Sequence, residues 1–430
     1  MKALLYIVLL PAIVGAVSLT EVVQKTLETH PQIQMKIEDL GAEQKTLAKV
    51  KAGYLPSIDL SYSVGPEKTK TIANQRNYYD YTRENASATL TQGLFSGLST
   101  VNGVKQQKAI ILSADEKVKE GAHDIALEVV GAYVEMLKTK ELLDIAKENV
   151  DVHEKYLGQI KEKVDAGVGR SSDYKQTLSR YENALSVFFL SEQNHQNSIY
   201  NYQRILPDEI EEGYLQKPSM DALPAEDLVA LLEIALENNP TVHVTQAAMQ
   251  AAKASVQRSN AAYYPTVDFQ AQAFWDMNVN GVGVKSGASH DENSGWNTLL
   301  VVNYNIFNGM YDKANKEVNQ HQVLKQASTL ADAKRFIVAN TSLAWHTFKS
   351  TKQQLVHIEK NIQASAETVA AYKEENDLGR RSIIDLLNIE LEYNGAKNRK
   401  VTAEYDNILA YYQILSHTGK MLEVLDVNTK

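Results

Sequence analysis

The chain writes its architecture twice. His30-Pro31 and Gly53-Tyr54-Leu55-Pro56-Ser57-Ile58-Asp59 return as Asn239-Pro240 and Ala262-Tyr263-Tyr264-Pro265-Thr266-Val267-Asp268, each proline 209 positions after its counterpart. Further on the offset becomes 212, where Leu94-Phe95-Ser96-Gly97 recurs as Ile306-Phe307-Asn308-Gly309, Gly167 as Gly379 and Asp173 as Asp385. A unit of about 200 residues is far longer than the ~20–50 residues of a solenoid repeat. The pattern therefore predicts an internally duplicated domain with pseudo-twofold symmetry.

Two hairpins, 57–95 and 266–307, read as strands. In Ser57-Ile58-Asp59-Leu60-Ser61-Tyr62-Ser63-Val64 every even residue is apolar and every odd one polar, the lipid-out, lumen-in alternation of a transmembrane barrel. Val267, Phe269, Ala271 and Ala273 alternate in the same way with Asp268, Gln270 and Gln272. Asn85 to Phe95 and Trp296 to Phe307 alternate less cleanly, with Ala86, Ala88 and Leu90 sharing one face and Leu300, Val302, Tyr304 and Ile306 another. Each strand is about ten residues, enough to cross a bilayer when tilted. Polar loops are expected at Gly65 to Glu84 and Asn280 to Gly295. Pro56 and Pro265 mark where the strands begin. Four strands cannot close a barrel, since known barrels start at about eight, so closure requires several protomers, and three would supply twelve strands.

The rest reads as long helices. Leu98 to Asp165 contains no proline, and Val129, Met136, Leu143, Val150, Leu157 and Val164 keep a seven-residue step, joined by Ala132, Ala146 and Ile160. Phe348, Leu355, Ile362 and Val369 repeat it, accompanied by Ala344, Ile358 and Tyr372. At 1.5 Å per residue such helices reach on the order of 100 Å. Each ends in a glycine turn, at Gly167 (tip near 165–173) and Gly379 (tip near 376–388). A second proline-free helix then follows over Ser172 to Leu206 or Ser382 to Leu415, with Ser171 or Ser172, and Ser382, as N-caps. Short amphipathic stretches, Ser18 to Glu28 and Ala225 to Glu237, precede the two prolines Pro31 and Pro240. The expected division is a signal peptide over 1–16, a first repeat over 17–206, a linker over 207–224, a second repeat over 225–417 and a C-terminal tail over 418–430. The fold class is mainly α with a small β part.

Composition narrows the function. A net charge of -9 argues against a nucleic-acid footprint, and the absence of cysteine removes disulfides and thiolate chemistry. Lys2, the apolar run Ala3 to Val14 and the small pair Gly15-Ala16 read as an export signal cleaved after Ala16, too short for a membrane span. The ten histidines show no metal-ligand spacing. Ser172-x-x-Lys175 falls just after a helical turn and reads as a solvated face. Gly281-Val282-Gly283 lacks the rest of a dinucleotide fingerprint. No NTP-binding loop is present, and no cofactor or enzyme activity is expected. Energy for any transport must come from a partner.

The duplicated helix-Pro-helix steps at Leu27 to Pro31 and Leu236 to Pro240 recur in order with the Tyr-x-Pro-x-x-Asp strand starts and the Phe95-Ser96-Gly97 and Phe307-Asn308-Gly309 exits. Together with Gly379-Arg380-Arg381-Ser382-Ile383-Ile384-Asp385-Leu386-Leu387-Asn388, these features resemble the TolC-like outer-membrane channel family. The resemblance implies a homotrimer in outer-membrane lipid, twelve strands forming one barrel continuous with a twelve-helix periplasmic α-barrel. It also implies cargo delivered by a periplasmic adaptor and an inner-membrane transporter. It places an entrance constriction on Asp385 and Asn388, and tip-locking interactions on Asp173 and Arg381. Many relatives carry a second acidic residue where this chain has Asn388, which leaves one aspartate ring instead of two. The segment Asp377 to Leu387, followed by Glu390 and Glu392, looks more like type I secretion channels, fed by an ABC transporter, than like outlets of proton-driven multidrug or metal efflux pumps. A periplasmic coiled-coil scaffold would share the helices but would need no lipid-facing hairpins.

Overall fold

The computed structural model describes residues 18–70, 78–206, 215–277 and 292–427. The expected signal peptide, most of the loop 280–295 with Gly281-Val282-Gly283, and residues 207–214 of the linker lie outside them. The duplication governs the elements, whose lengths repeat. Helices α1 (Leu19–Thr29) and α5 (Leu228–Asn238) have 11 residues each, and α2 (Pro31–Lys51) and α6 (Pro240–Ser259) have 21 and 20. Helices α3 (Ser99–Asp165) and α7 (Tyr311–Asp377) both have 67 residues, and α4 (Ser171–Ile205) and α8 (Ile383–His417) both have 35. A short α9 (Met421–Val424) ends the described chain. No described helix is long and apolar enough to cross a membrane.

Helix starts follow their local chemistry. Ser18 caps α1 in a reciprocal box with Glu21, and Asp227 caps α5 through Val229 and Ala230. Pro31 and Pro240 occupy first helical positions, where a missing N–H costs nothing. Ser382 accepts the Asp385 N–H as expected. The first tip differs from expectation: Arg170 takes the N-cap position of α4 with no side-chain bond, and Ser171 is already helical.

The chain falls into two compact units. One comprises the described residues of Glu38–Asp115 and His243–Ala331. Its sheet contains β1 (Ser57–Lys70), β2 (Tyr78–Ser96), β3 (Thr266–Met277) and β4 (Glu292–Asn303), all antiparallel in the order β1-β2-β3-β4. The strands run further than the alternation suggests. Lys70 pairs with Tyr78, and β4 starts at Glu292, so much of the expected polar loops is strand, carried by cross-strand pairs such as Lys68 with Asp80 and Arg83 with Glu67. The register aligns Leu60, Ala88, Ala273 and Trp296 across all four strands. Ile58, Leu60, Tyr62, Val64, Phe269, Leu300 and Val302 on that face are exposed, Leu60 at 81%. The opposite face carries Asp59, Ser61, Ser87, Thr89, Gln270, Gln272 and an Asn85–Asp276 hydrogen bond. At the exit of β2, Gly97 has φ +61, and a Cβ there would lie 2.5 Å from the Ala261 carbonyl oxygen, so only glycine fits.

The other unit, the described residues of Met1–Ile37, Glu116–Val242 and Asp332–Lys430, holds the main helical core. Val22, Val23 and Leu27 of α1 pack with Ala126, Val129 and Tyr133 of α3, Tyr405, Tyr411 and Leu415 of α8, and Met421 after it. The expected linker is strapped onto this core from Leu215 onward. Tyr133 donates to the Gln216 carbonyl (2.7 Å), Tyr412 to the Ser219 carbonyl (3.2 Å), and the Asp221 N–H to Tyr411 Oη (3.1 Å). Residues expected as a tail also pack, with Met421, Leu422, Leu425 and Val427 buried.

The buried seam of the long helices lies on the seven-residue series Ile125, Ala132, Thr139, Ala146, His153, Ile160, all buried. Leu143, Val150, Leu157 and Val164, which the sequence pattern put first, are only half-buried. The seam contains polar members, which a search for apolar residues passes over. Thr139 bonds Ser198 Oγ (2.8 Å) and His195 Nδ1 (3.1 Å), and in the second repeat Asn407 donates to Thr351 Oγ1 (2.8 Å) and to the Phe348 carbonyl (2.8 Å). Buried polar groups of this kind require partners, which Thr139 and Asn407 have, whereas His153 Nδ1 has none among the described residues.

Candidate functional site

Of the residues singled out by sequence, Pro56 and Pro265 stand just before β1 and β3, and Asp173, Arg381, Asp385, Asn388, Gly167 and Gly379 fall at the two interhelical turns of the helical unit. Both turns close in the same way. Val168 N–H bonds the Lys163 carbonyl and Gly167 N–H the Val164 carbonyl, while Arg380 N–H bonds Glu375 and Gly379 N–H bonds Asn376. This is the Schellman arrangement, and Gly167 (φ +77) and Gly379 (φ +71) supply its left-handed residue. Below the turns, Tyr156 and Ile160 of α3 pack with Ile383, Leu386 and Leu387 of α8, backed by Tyr174 and Tyr372. The two tips thus form one small core.

Asp385 sits in the first turn of α8. Its N–H donates to Ser382 Oγ (3.1 Å), and its Oδ2 accepts from the same hydroxyl (2.7 Å), so the carboxylate is oriented by the helix start and favoured by the helix dipole. Asn388, one turn on and exposed, accepts a hydrogen bond from Arg180 Nη2 of α4 at 2.7 Å. Arg381 donates from Nε to Glu375 Oε2 at 2.6 Å and lies over the Tyr372 ring at 3.9 Å from its centroid, while Asn376 Nδ2 holds the Arg381 carbonyl at 2.7 Å. Asp173 accepts from Ser172 Oγ at 3.2 Å. Within one protomer Arg381 is therefore engaged by its own tip, and Asp173 lies on the other. The hydroxyl of Ser172 is exposed, in keeping with a solvated face.

Three residues of this neighbourhood carry no sequence signal. Arg180 is one arginine on a helix, Glu375 one acid in Glu374-Glu375, and His153 occupies a heptad position normally apolar. His153 is 1% exposed, and burial, then the Arg180 guanidinium, hold its imidazole below the usual range. Glu390 is half-buried and pushed upward by burial and by Glu148. Among the described residues no cluster of histidine and acid side chains could hold a metal ion.

Two duplicated helical hairpins, a four-stranded sheet apolar on its exposed face and a shared tip define the protomer of an outer-membrane helical channel. The chain belongs to the outer membrane efflux protein family, whose model matches residues 22–200 and 231–420. It is 22% identical over 409 residues to the outer membrane efflux protein BepC of Brucella suis, covering 94% of this chain and 86% of that one. It is 19% identical to the outer membrane protein TolC of Escherichia coli (95% and 83%), and 19% identical to the proteases secretion protein PrtF of Dickeya chrysanthemi (95% and 89%). The fold matches a crystal structure of a membrane protein from Pseudomonas aeruginosa with a TM-score of 0.82 at 14% identity, covering 93% of this chain and 90% of the other. The protein is an outer-membrane efflux channel with a periplasmic helical extension, in keeping with the expected class and location.

Proposed function

We propose that three copies of this chain form the exit duct of a tripartite export system. The observation that carries this is the sheet. Strands β1 and β4 each have one neighbour, so each offers an open edge, and one face is an exposed apolar surface. Open edges and an apolar exterior are tolerated together when a barrel closes in lipid. Leu60→Arg on the apolar face should cost about 2–4 kcal/mol near the midplane, while Ser61→Arg on the polar face should be tolerated. Equal losses of detergent-stable trimer in both variants would argue for a dry sandwich.

At the tips, Asp385 and its symmetry mates form the cation-attracting entrance ring, Asn388 lies one turn beyond, and Arg381 and Asp173 are the groups through which neighbouring hairpins lock. The cargo reading favoured is type I protein secretion, with a periplasmic adaptor and an inner-membrane ABC transporter. It is supported by the segment Asp377 to Leu387 with Glu390 and Glu392, and by the likeness to PrtF. The likeness to BepC supports the second reading, an efflux pump outlet. Crosslinking in cells followed by detergent purification tests the choice: an ABC transporter and its adaptor should co-purify, and a proton-driven pump in their place would overturn the secretion reading.

A further inference from the structure

We infer that Arg180 is a specificity-determining residue of the entrance, holding position 388 in a bond and setting a positive charge against Asp385. The inference deepens the entrance reading above and rests on it for the identity of the constriction. Arg180 Nη2 donates to Asn388 Oδ1 at 2.7 Å, which ties α4 of the first repeat to α8 of the second. Residues three apart on a helix stand about 5–6 Å apart at Cβ, so this guanidinium lies about one turn from the Asp385 carboxylate. The other fork nitrogen, Nη1, is buried and has no partner among the described residues. One arm of a planar two-pronged donor is therefore in use, and the second is left without an acceptor among the described residues.

That geometry explains the amide at 388. A side-chain amide offers one oxygen to the fork, whereas a carboxylate offers two and forms the stronger, charge-assisted pair. An aspartate at 388 in this chain would be taken up by Arg180 and would add little to the field in the duct. Burial, and then the same guanidinium, hold the imidazole of His153 below its usual range. Nor is the arrangement a product of the duplication. The positions 212 residues away from Arg180 and Asn388 are Glu392 and Gln176, so the first repeat supplies the cation and the second the acceptor. Each protomer thus sets one arginine near one aspartate, and Arg180 tempers the cation attraction of the Asp385 ring.

The test is reversal potential in planar bilayers under a potassium chloride gradient, for the parent, Arg180→Gln, Asn388→Asp and the double variant, each checked for trimer assembly. Asn388→Asp alone should change the cation-to-anion permeability ratio by less than about twofold, because a paired charge projects little field. The same change in the Arg180→Gln background should raise the ratio on the order of fivefold. Arg180→Gln alone should raise it by a smaller factor. Equal shifts from Asn388→Asp in both backgrounds would overturn the inference. Should Arg180→Gln fail to assemble, Arg180→Lys serves instead: it keeps the charge and removes the fork, so Asn388→Asp should shift the ratio more in that background than in the parent, and an equal shift counts against the bond. Asp385→Asn tests the entrance reading separately. An unchanged ratio there removes the aspartate ring while the coupling between 180 and 388 stands or falls on its own data.

Discussion

The two tips share backbone geometry and differ in almost every side chain that could hold them shut. Both end a 67-residue helix in a Schellman turn and begin a 35-residue helix shortly after it. The second tip encloses a polar latch of Tyr372, Glu375, Asn376 and Arg381. At the corresponding positions, 212 residues earlier, the first tip has Ile160, Lys163, Val164 and Gly169. Duplication has kept what the turn needs, a glycine in the left-handed region, and released the rest. The divergence extends along the helices. Buried His123, His153 and His195 lie in the first repeat, where the second has Arg335, Ser365 and Asn407. The first repeat therefore carries two imidazoles, His123 and His153, whose pKa burial lowers, and the second the charged latch.

The largest effect that would break this comparison is pH-dependent. Burial lowers the His123 pKa from 6.5 to about 4, and its Nδ1 has no partner among the described residues. A base whose folded pKa is depressed contributes its full stability above pH 6.5 and loses it as pH falls toward 4, because the unfolded chain takes up the proton first. A pKa lowered this far corresponds to about 3 kcal/mol per protomer. Chemical unfolding between about pH 7.5 and pH 4 should show His123→Leu losing less stability than the parent by about this amount. A His123→Leu curve that falls as steeply as the parent's would place the acid sensitivity elsewhere.

A smaller effect separates position 169, a glycine in the first tip and Arg381 in the second, from the turn glycines. A Cβ on Gly169 would lie 2.8 Å from Val164 N and 2.9 Å from Lys163 C, both backbone atoms that cannot swing aside. Gly169→Ala should cost about 1–3 kcal/mol. Gly379→Ala meets no neighbouring atom and pays only for its positive φ, about 1 kcal/mol. Matching losses in thermal stability from the two alanines would show that the crowding at Gly169, whose counterpart in the second tip is Arg381, adds nothing to the cost.

Much of this fold was legible because duplication and period are arithmetic properties of a sequence. The strand starts after Pro56 and Pro265, the paired long helices, and the turn glycines all follow from repeats and from residues with one backbone use. The failures are equally physical. Polar strand continuations such as Glu67, Lys68 and Arg83 read as loop because their pairing partners are charged and lie across the hairpin. The most buried helical seam is legible only in part: the apolar pattern includes Ala132, Ala146 and Ile160, while Thr139 and His153 between them escape a search for apolar residues. The latch partners of Arg381 and the bond from Arg180 to Asn388 are invisible in sequence, since nothing in a lone arginine says which of several acids or amides it will meet.

The last prediction has the smallest effect on stability and the most bearing on the tips. Arg381 is bound within its protomer by Glu375 and stacked on Tyr372, whereas the proposed lock pairs it with Asp173 of a neighbouring hairpin. Exposed pairs of this kind contribute little to folding and weaken with salt, so Arg381→Ala should leave the unfolding transition nearly unchanged. It should nevertheless raise single-channel conductance and antibiotic sensitivity by loosening the closed entrance. Two neutral variants then separate the partners. If Glu375 holds the arginine in its working position, Glu375→Gln reproduces Arg381→Ala and Asp173→Asn resembles the parent. If the arginine leaves its own tip to bridge hairpins, Asp173→Asn is the variant that opens, and Glu375→Gln frees the guanidinium and tightens the closed state. Conductance measured at low and high salt reads both outcomes, because only a variant that has lost the working pair should lose the salt dependence of the parent. Parent-like conductance in all three variants would reduce Arg381 to an ordinary surface cation and leave the Schellman turn as the sole feature the tips have in common.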